Sequence, residues 1–309
     1  MCGIAGIIHR DGAADIGDEL TAMLNSMKHR GPDSTGYAIY GPADEMVIVR
    51  FMLAEPNDFT GFGMDEKLER NRAEVESRLA KIGAEVATIQ NETGYAFRAT
   101  IRYGGDLKPL ADYLEDIPGC KVLSLGSSLE IIKDLGDANT VHDQYGLAKV
   151  SGTHGIGHVR MATESDVDLA SAHPYWAYPF ADVAVVHNGQ LTNYHMWRRR
   201  LERMGHRFQS QCDSEIIAVY LAQQLENGLS LETAMKHSLD DFDGVYTYLV
   251  ATGNELGIAK DEMAAKPLVL METENLVAMA SEEVAIRALV GTEVETRDPF
   301  ENEVLTWQV

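Results

Sequence analysis

Cysteine is scarce in this chain: three residues, Cys2, Cys120 and Cys212, among 309. An odd, low count gives no disulfide framework, and no pair has metal-ligand spacing, so no metal site is expected. Such usage fits a reducing compartment. Positive charge is also in deficit. Lys and Arg number 26 against 48 Asp and Glu, a formal net charge of −22. A surface of that sign repels phosphate backbones and anionic lipid, so neither nucleic acid nor membrane is expected as the main partner. No run approaches the roughly 18 uninterrupted apolar residues of a membrane span. The opening MCGIAGIIHRDG lacks a basic leader and soon meets Asp11, so it does not read as a signal peptide. Repeats, low-complexity tracts, a P-loop, a phosphoribosyl-binding motif and a cysteine cluster for iron–sulfur are all missing. A soluble, cytoplasmic protein without a cofactor is expected.

Apolar residues make up 45% of the chain, enough to fill one large core or two smaller ones. Residues 2–9 read as a short buried strand closed by the turn Asp11-Gly12. Ile16, Leu20, Met23, Leu24 and Met27 have helical spacing over 16–28. HRGPDSTG, residues 29–36, reads as a loop, and 37–40 and 46–53 as strands. From 57 to 147 the character changes. A charged amphipathic helix over 64–81 is followed by a hairpin around Glu92-Thr93-Gly94, a helix near 107–116, a strand over 120–125 and a helix near 127–135. That order predicts a small α/β subdomain inserted into a main unit spanning 2–309. The main pattern resumes at Thr153, with helices at 193–204 and 213–226. From Gly244 it continues as hairpin-connected strands, with a helix at about 281–289. Antiparallel strands with helices outside them predict an α+β sandwich.

Cys2 stands directly behind the initiator. A thiol attacks as its thiolate, and with a free pKa of about 8.5 it needs a base. Once Met1 is removed, the α-amino group of Cys2, with a pKa of about 7.7–8.0, is such a base. Nucleophile and base then come from one residue, as in N-terminal-threonine enzymes. Gly3 leaves room for a substrate beside the backbone. By position alone, Cys2 reads equally as a small buried hydrophobe.

Three further stretches carry chemistry. In GHVRMATES, 157–165, a strand ends in Arg160, whose fork suits both oxygens of a substrate carboxylate; the alternative is a structural ion pair. In VAVVHNGQLTNY, 183–194, a buried strand runs into His187-Asn188-Gly189. The Asn188 side-chain N–H and the unshielded Gly189 backbone N–H are the two donors an oxyanion hole requires; the alternative is an ordinary Asn-Gly turn. Asp213 opens the 213–226 helix, either as its N-cap or as the holder of a substrate ammonium group. Cys212 beside it reads as filler. His173, before Pro174, can orient the loop that carries Arg160 or be purely structural.

CGIAGI (2–7), RGPDSTG (30–36), GHVRMAT (157–163), His173-Pro174, HNGQLTN (187–193) and CDSE (212–215) come in that order. Together they resemble the class II glutamine amidotransferases, the cysteine-type N-terminal-nucleophile hydrolases. The set covers nearly the whole chain apart from the insertion. The resemblance implies a four-layer αββα sandwich, two antiparallel sheets between helices. It implies that Cys2 attacks the side-chain amide of L-glutamine while Asn188 and Gly189 stabilise the oxyanion. Arg160 would bind the α-carboxylate with Thr163 nearby, and Asp213 the α-ammonium. Arg30, His173 and His187 lie inside the motifs as supporting residues.

No synthase domain is visible, so the chain is expected to be a separate glutaminase subunit passing ammonia to partner synthase subunits. The insertion and the RGPDSTG and GHVR forms most resemble the amidotransferase portion of glutamate synthases, especially the stand-alone subunits of N-methylglutamate synthase. Met161 and Glu164 depart from the aromatic and the histidine that several members carry there. Two other readings stay open: a non-catalytic regulatory subunit that binds glutamine or glutamate, and a hydrolase of the same nucleophile class that cuts another amide.

Overall fold

The computed structural model describes residues 2–43, 45–54, 63–161 and 169–309. The chain begins with β1 (Gly3–His9), α1 (Ile16–Ser26), β2 (Ser34–Tyr40) and β3 (Val47–Met52). The middle stretch holds α2 (Met64–Lys81), β4 (Glu85–Asn91), β5 (Ala96–Arg102), α3 (Leu107–Glu115), β6 (Lys121–Gly126), β7 (Leu129–Leu135) and α4 (Ala138–Tyr145). Then come β8 (His154–Arg160), β9 (Tyr175–Trp176), β10 (Ala184–Leu191), α5 (Tyr194–Arg203), α6 (Asp213–Glu226) and α7 (Leu231–Asp241). The last stretch is β11 (Gly244–Ala251), β12 (Glu255–Lys260), β13 (Val269–Glu272), β14 (Leu276–Ala280), α8 (Glu283–Val290) and β15 (Val304–Gln308).

These strands form three sheets, of order β13-β14-β1-β8-β2-β7, β15-β12-β11-β10-β9 and β4-β5-β3-β6. The pairings are antiparallel throughout. β1 is a near-continuous apolar run because both its faces are covered. Ile4 and Ile8 share a core with Ala38, Tyr40 and Ile156 of the same sheet and with Val186, Leu249 and Ile258 of the five-stranded sheet. Ala5 and Ile7, pointing the other way, pack with Leu20, Met23 and Leu24 of α1 and with Ile286 of α8. The far face of the five-stranded sheet, through Val185, Tyr248 and Val250, meets Ile216 and Ile217 of α6 and Met235 of α7.

The helix expected near 127–135 is instead the strand β7. It pairs with β2 along its whole length, from Tyr40 opposite Leu129 to Ser34 opposite Leu135. Leu129, Ile131, Ile132 and Leu135 satisfy helical spacing, but both faces of the segment are covered and the ladder with β2 decides. Its start is fixed by the Asp182 carboxylate, which accepts the backbone N–H groups of Ser127, Ser128 and Leu129 at 3.0, 2.9 and 2.8 Å. The loop expected at 29–36 also ends early: Ser34 and Thr35 already belong to β2, opposite Arg160 and Val159. The hairpin around Glu92-Thr93-Gly94 forms as β4–β5. β3, which precedes residue 57, is an inner strand of that small sheet, and buried Arg50 on it is bonded to Glu92 and to Glu130 of β7. No helix among the described residues is long and apolar enough to cross a membrane.

Candidate active site

Cys2 lies just ahead of β1, which runs between β14 and β8, and it is half-buried. Gly3 pairs with Val159, which sets Cys2 beside the end of β8. There the Met161 backbone N–H points at the Cys2 sulfur at 3.4 Å. The Cys2 thiol in turn lies 3.8 Å from the Met161 carbonyl oxygen. The Cys2 carbonyl is gripped from two sides. Arg30 Nε donates to it at 2.9 Å and Asn188 Nδ2 at 3.3 Å.

Arg30 is held in turn. Its Nη1 meets Glu282 Oε1 at 2.6 Å, and His29 reaches the same carboxylate. Hydrogen bonding to Arg30, then to His29, holds the Glu282 carboxyl below its ordinary range. Ser281 closes the ring. Its Oγ accepts the Ile4 N–H at 3.0 Å and an Asn188 Nδ2 hydrogen at 3.3 Å, and its own N–H donates to the Ile4 carbonyl. Ser281 and Glu282 were not legible as site residues in the sequence. The available signal was the ASEE stretch at the start of a helix, within reach of Cys2 only through the β1–β14 pairing.

Two glycines are required by this packing. A Cβ on Gly31 would fall 2.4 Å from the Arg160 carbonyl carbon. Gly189 has φ +129°, and a Cβ there would sit 2.1 Å from the Val245 carbonyl oxygen. Asn188 and Gly189 lie near the end of β10, opposite Thr247 and Tyr246 of β11. Asn188 faces the inter-sheet core and Cys2, while His187 faces the α6 side, as strand alternation demands.

Arg160 is buried at the last position of β8, next to the Met161 backbone that touches Cys2. Thr163, expected to lie beside the substrate, falls outside the described residues, as does Glu164. Asp213 is the first residue of α6 and not its N-cap, which is Cys212. Its Oδ2 accepts the Leu191 N–H at 2.8 Å, which ties the end of β10 to the helix. Its side chain keeps 20% exposure.

Between Arg160 and Asp213 lies a buried group of histidines. His173 stacks on His158 with ring centroids 4.0 Å apart. His173 Nε2 and His187 Nδ1 both reach Ser214 Oγ, at 2.9 and 2.8 Å. Burial pushes all three imidazoles down, His158 to about 3, so they are neutral near pH 7. His158 and Ser214 were missed in the sequence. His158 was findable, being two residues before Arg160 and so on the same strand face. Burial pushes the Cys212 thiol up, in keeping with a filler. Among the described residues, no group of three or more His, Cys, Asp or Glu is placed to hold a metal ion.

A family model described as a glutamine amidotransferase domain matches residues 158–288. A putative glutamine amidotransferase of Methanothermobacter thermautotrophicus is 40% identical over 277 residues, 89% of this chain and 89% of that protein. The glutamine amidotransferase-like protein GlxB of Rhizobium meliloti is 37% identical over 278 residues, 89% of this chain and 87% of that protein. The solved structure of the allosteric regulatory enzyme of purine biosynthesis matches with a TM-score of 0.63 at 20% identity, over 99% of this chain and 46% of that one. Glutamine phosphoribosylpyrophosphate amidotransferase from B. subtilis matches at 0.61 and 20%, over 99% and 47%. The chain thus spans about half the length of these two solved structures, and the likeness to them is one of fold. The chain belongs to the glutamine amidotransferase family.

Proposed function

We propose that the chain is a class II glutaminase subunit that hydrolyses L-glutamine to L-glutamate and ammonia for a partner synthase, of glutamate synthase or N-methylglutamate synthase type. The observation that carries this reading is the convergence on Cys2. A backbone N–H from Met161 meets its sulfur, and the Asn188 amide and Arg30 meet its carbonyl. The family membership, and two relatives named as amidotransferase or amidotransferase-like and matched over 89% and 87% of their length, support it. The fold is then the four-layer αββα sandwich. One core between the two larger sheets and one on the outer face of each support that layering. The β4-β5-β3-β6 sheet with α2 and α3 is the inserted unit.

The chemistry follows from the placement. With Met1 removed, the α-amine of Cys2 takes the thiol proton. The thiolate attacks the glutamine side-chain carbon, and the resulting oxyanion takes donors from Asn188 Nδ2 and the Gly189 N–H. At 3.3 Å from both the Cys2 carbonyl and Ser281 Oγ, the Asn188 amide is loosely held and can exchange one of these acceptors for the oxyanion. The Cys2 α-ammonium so formed gives that proton to the departing amine, releasing ammonia. Water then cleaves the γ-glutamyl thioester, giving glutamate and regenerating the thiol. Arg160 takes the α-carboxylate, assisted by Thr163, and Asp213 the α-ammonium.

Glutamate release from glutamine, with intact-mass analysis of the same sample, tests the proposal. Mature protein lacking Met1 should turn glutamine over, and Cys2→Ala should abolish it. A retained Met1 without turnover would exclude this mechanism and leave a glutamine- or glutamate-binding regulatory subunit; an unchanged rate in Cys2→Ala would exclude it by placing the turnover on another residue.

A further inference from the structure

We propose that Ser214 is a positioning residue: its hydroxyl joins His173, His187 and Asp213, fixes the tautomers of both imidazoles and aims the Asp213 carboxylate at the substrate's ammonium group. The inference starts from a count of hydrogens. A serine hydroxyl accepts two hydrogen bonds and donates one. Ser214 Oγ has His173 Nε2 at 2.9 Å, His187 Nδ1 at 2.8 Å and Asp213 Oδ1 at 3.4 Å, with the Cys212 thiol, a weaker donor, also at 3.4 Å. Ser214 itself is 1% exposed.

A neutral imidazole carries one N–H. The outer nitrogens, His173 Nδ1 and His187 Nε2, are buried and have no hydrogen-bond partner among the described residues. A hydrogen on either would be a buried donor with nothing to receive it, the costly kind of orphan; a bare lone pair there costs less. Both rings therefore carry their hydrogen on the nitrogen that faces Ser214 and donate to its oxygen. The two lone pairs of the hydroxyl are then used, and its own hydrogen goes to Asp213. The Cys212 thiol, 3.5 Å from the same Asp213 oxygen, adds a weak donor, and the Leu191 N–H takes the other oxygen at 2.8 Å. Asp213 is left an acceptor of fixed orientation.

The same junction spans the site. His173 stacks on His158, which stands two residues before Arg160 on β8. One hydroxyl thus links the strand carrying the proposed carboxylate ligand to the helix carrying the proposed ammonium ligand.

The kinetic part rests on the glutaminase reading; the tautomer part does not. Nitrogen-15 NMR of histidine-labelled wild-type protein, assigned with His173→Gln and His187→Gln, should show His173 protonated at Nε2 and His187 at Nδ1. Ser214→Ala should abolish that pattern. It should also raise the KM for glutamine about tenfold with kcat within about twofold, because Asp213 acts on binding at a distance from the reacting carbon. Ser214→Thr, which keeps the hydroxyl, should restore both. A hydrogen on either outer nitrogen in the wild type would overturn the proposal even if Ser214→Ala failed to fold. So would a KM unmoved in a folded Ser214→Ala. A wild type with the expected tautomers and no glutamine turnover would sink the glutaminase reading alone.

Discussion

Asn188 has two duties. Its amide steadies the Cys2 carbonyl and Ser281 in the resting protein, and the proposed reaction recruits the same Nδ2 to the oxyanion. Asn188→Ala removes a donor used most strongly in the transition state. It should lower kcat by about 10²–10³-fold with little change in KM. Steady-state kinetics on the mature protein would show this, and an equal rise in KM would assign the residue to ground-state binding. Which residues gather around Cys2 was in large part legible. Arg30, Arg160, Asn188, Gly189 and Asp213 sit at strand or helix ends inside recognisable runs. Ser281 was not, because its partner Ile4 lies 277 positions away and only sheet register brings them together.

At the scale of elements, legibility tracked clean periodicity. α1 and α2 have one buried stripe each and were read correctly. β7 was not, since a strand covered on both faces has no alternation to betray it. α7 was overlooked although it carries a local signal: Ser230 caps it by accepting the Thr233 N–H. α3 holds a titrating group. Glu115 at its end accepts the Val122 N–H at 2.8 Å and so ties the helix to β6. Burial pushes this carboxyl up to about 7, against the lowering effect of that N–H. The folded state thus keeps a proton that the unfolded chain, with a carboxyl near ~4.3, has already lost. This contribution to stability is full below pH ~4.3, falls as pH rises towards 7 and is flat above. Glu115→Gln should remove that slope and gain on the order of 1–3 kcal/mol at pH 8 relative to pH 4. Urea unfolding at the two pH values would measure it, and parallel shifts at both would refute it.

The whole molecule carries an excess of 22 negative charges. Close ion pairs such as Arg30–Glu282 and Arg50–Glu130 involve buried arginines and are poorly screened. The surplus lies on the surface and repels itself. Raising salt from about 0.01 to 0.15 M shortens the Debye length from ~30 to ~8 Å and should raise the melting temperature. Scanning calorimetry at the two ionic strengths would check this; a fall would mean that exposed pairs outweigh the surplus. The pattern of elements foretold a mixture of helices and antiparallel strands. It could not foretell that β3 leaves the large sheets for the small one, because that depends on which edges remain open once β2 has paired with β7 and β8.

The position of β1 also orders events during folding. β1 is an inner strand of its sheet, yet its neighbours come from residues 154–160 and 276–280. Pairing over such separations is slow and comes late in folding. The segment that carries Cys2 therefore stays unpaired until those later strands have formed. The Ser281–Glu282 clamp that seats Cys2 is made only in the last tenth of the chain. A chain cut short of residue 282 would therefore lack the contacts that hold Cys2 in place.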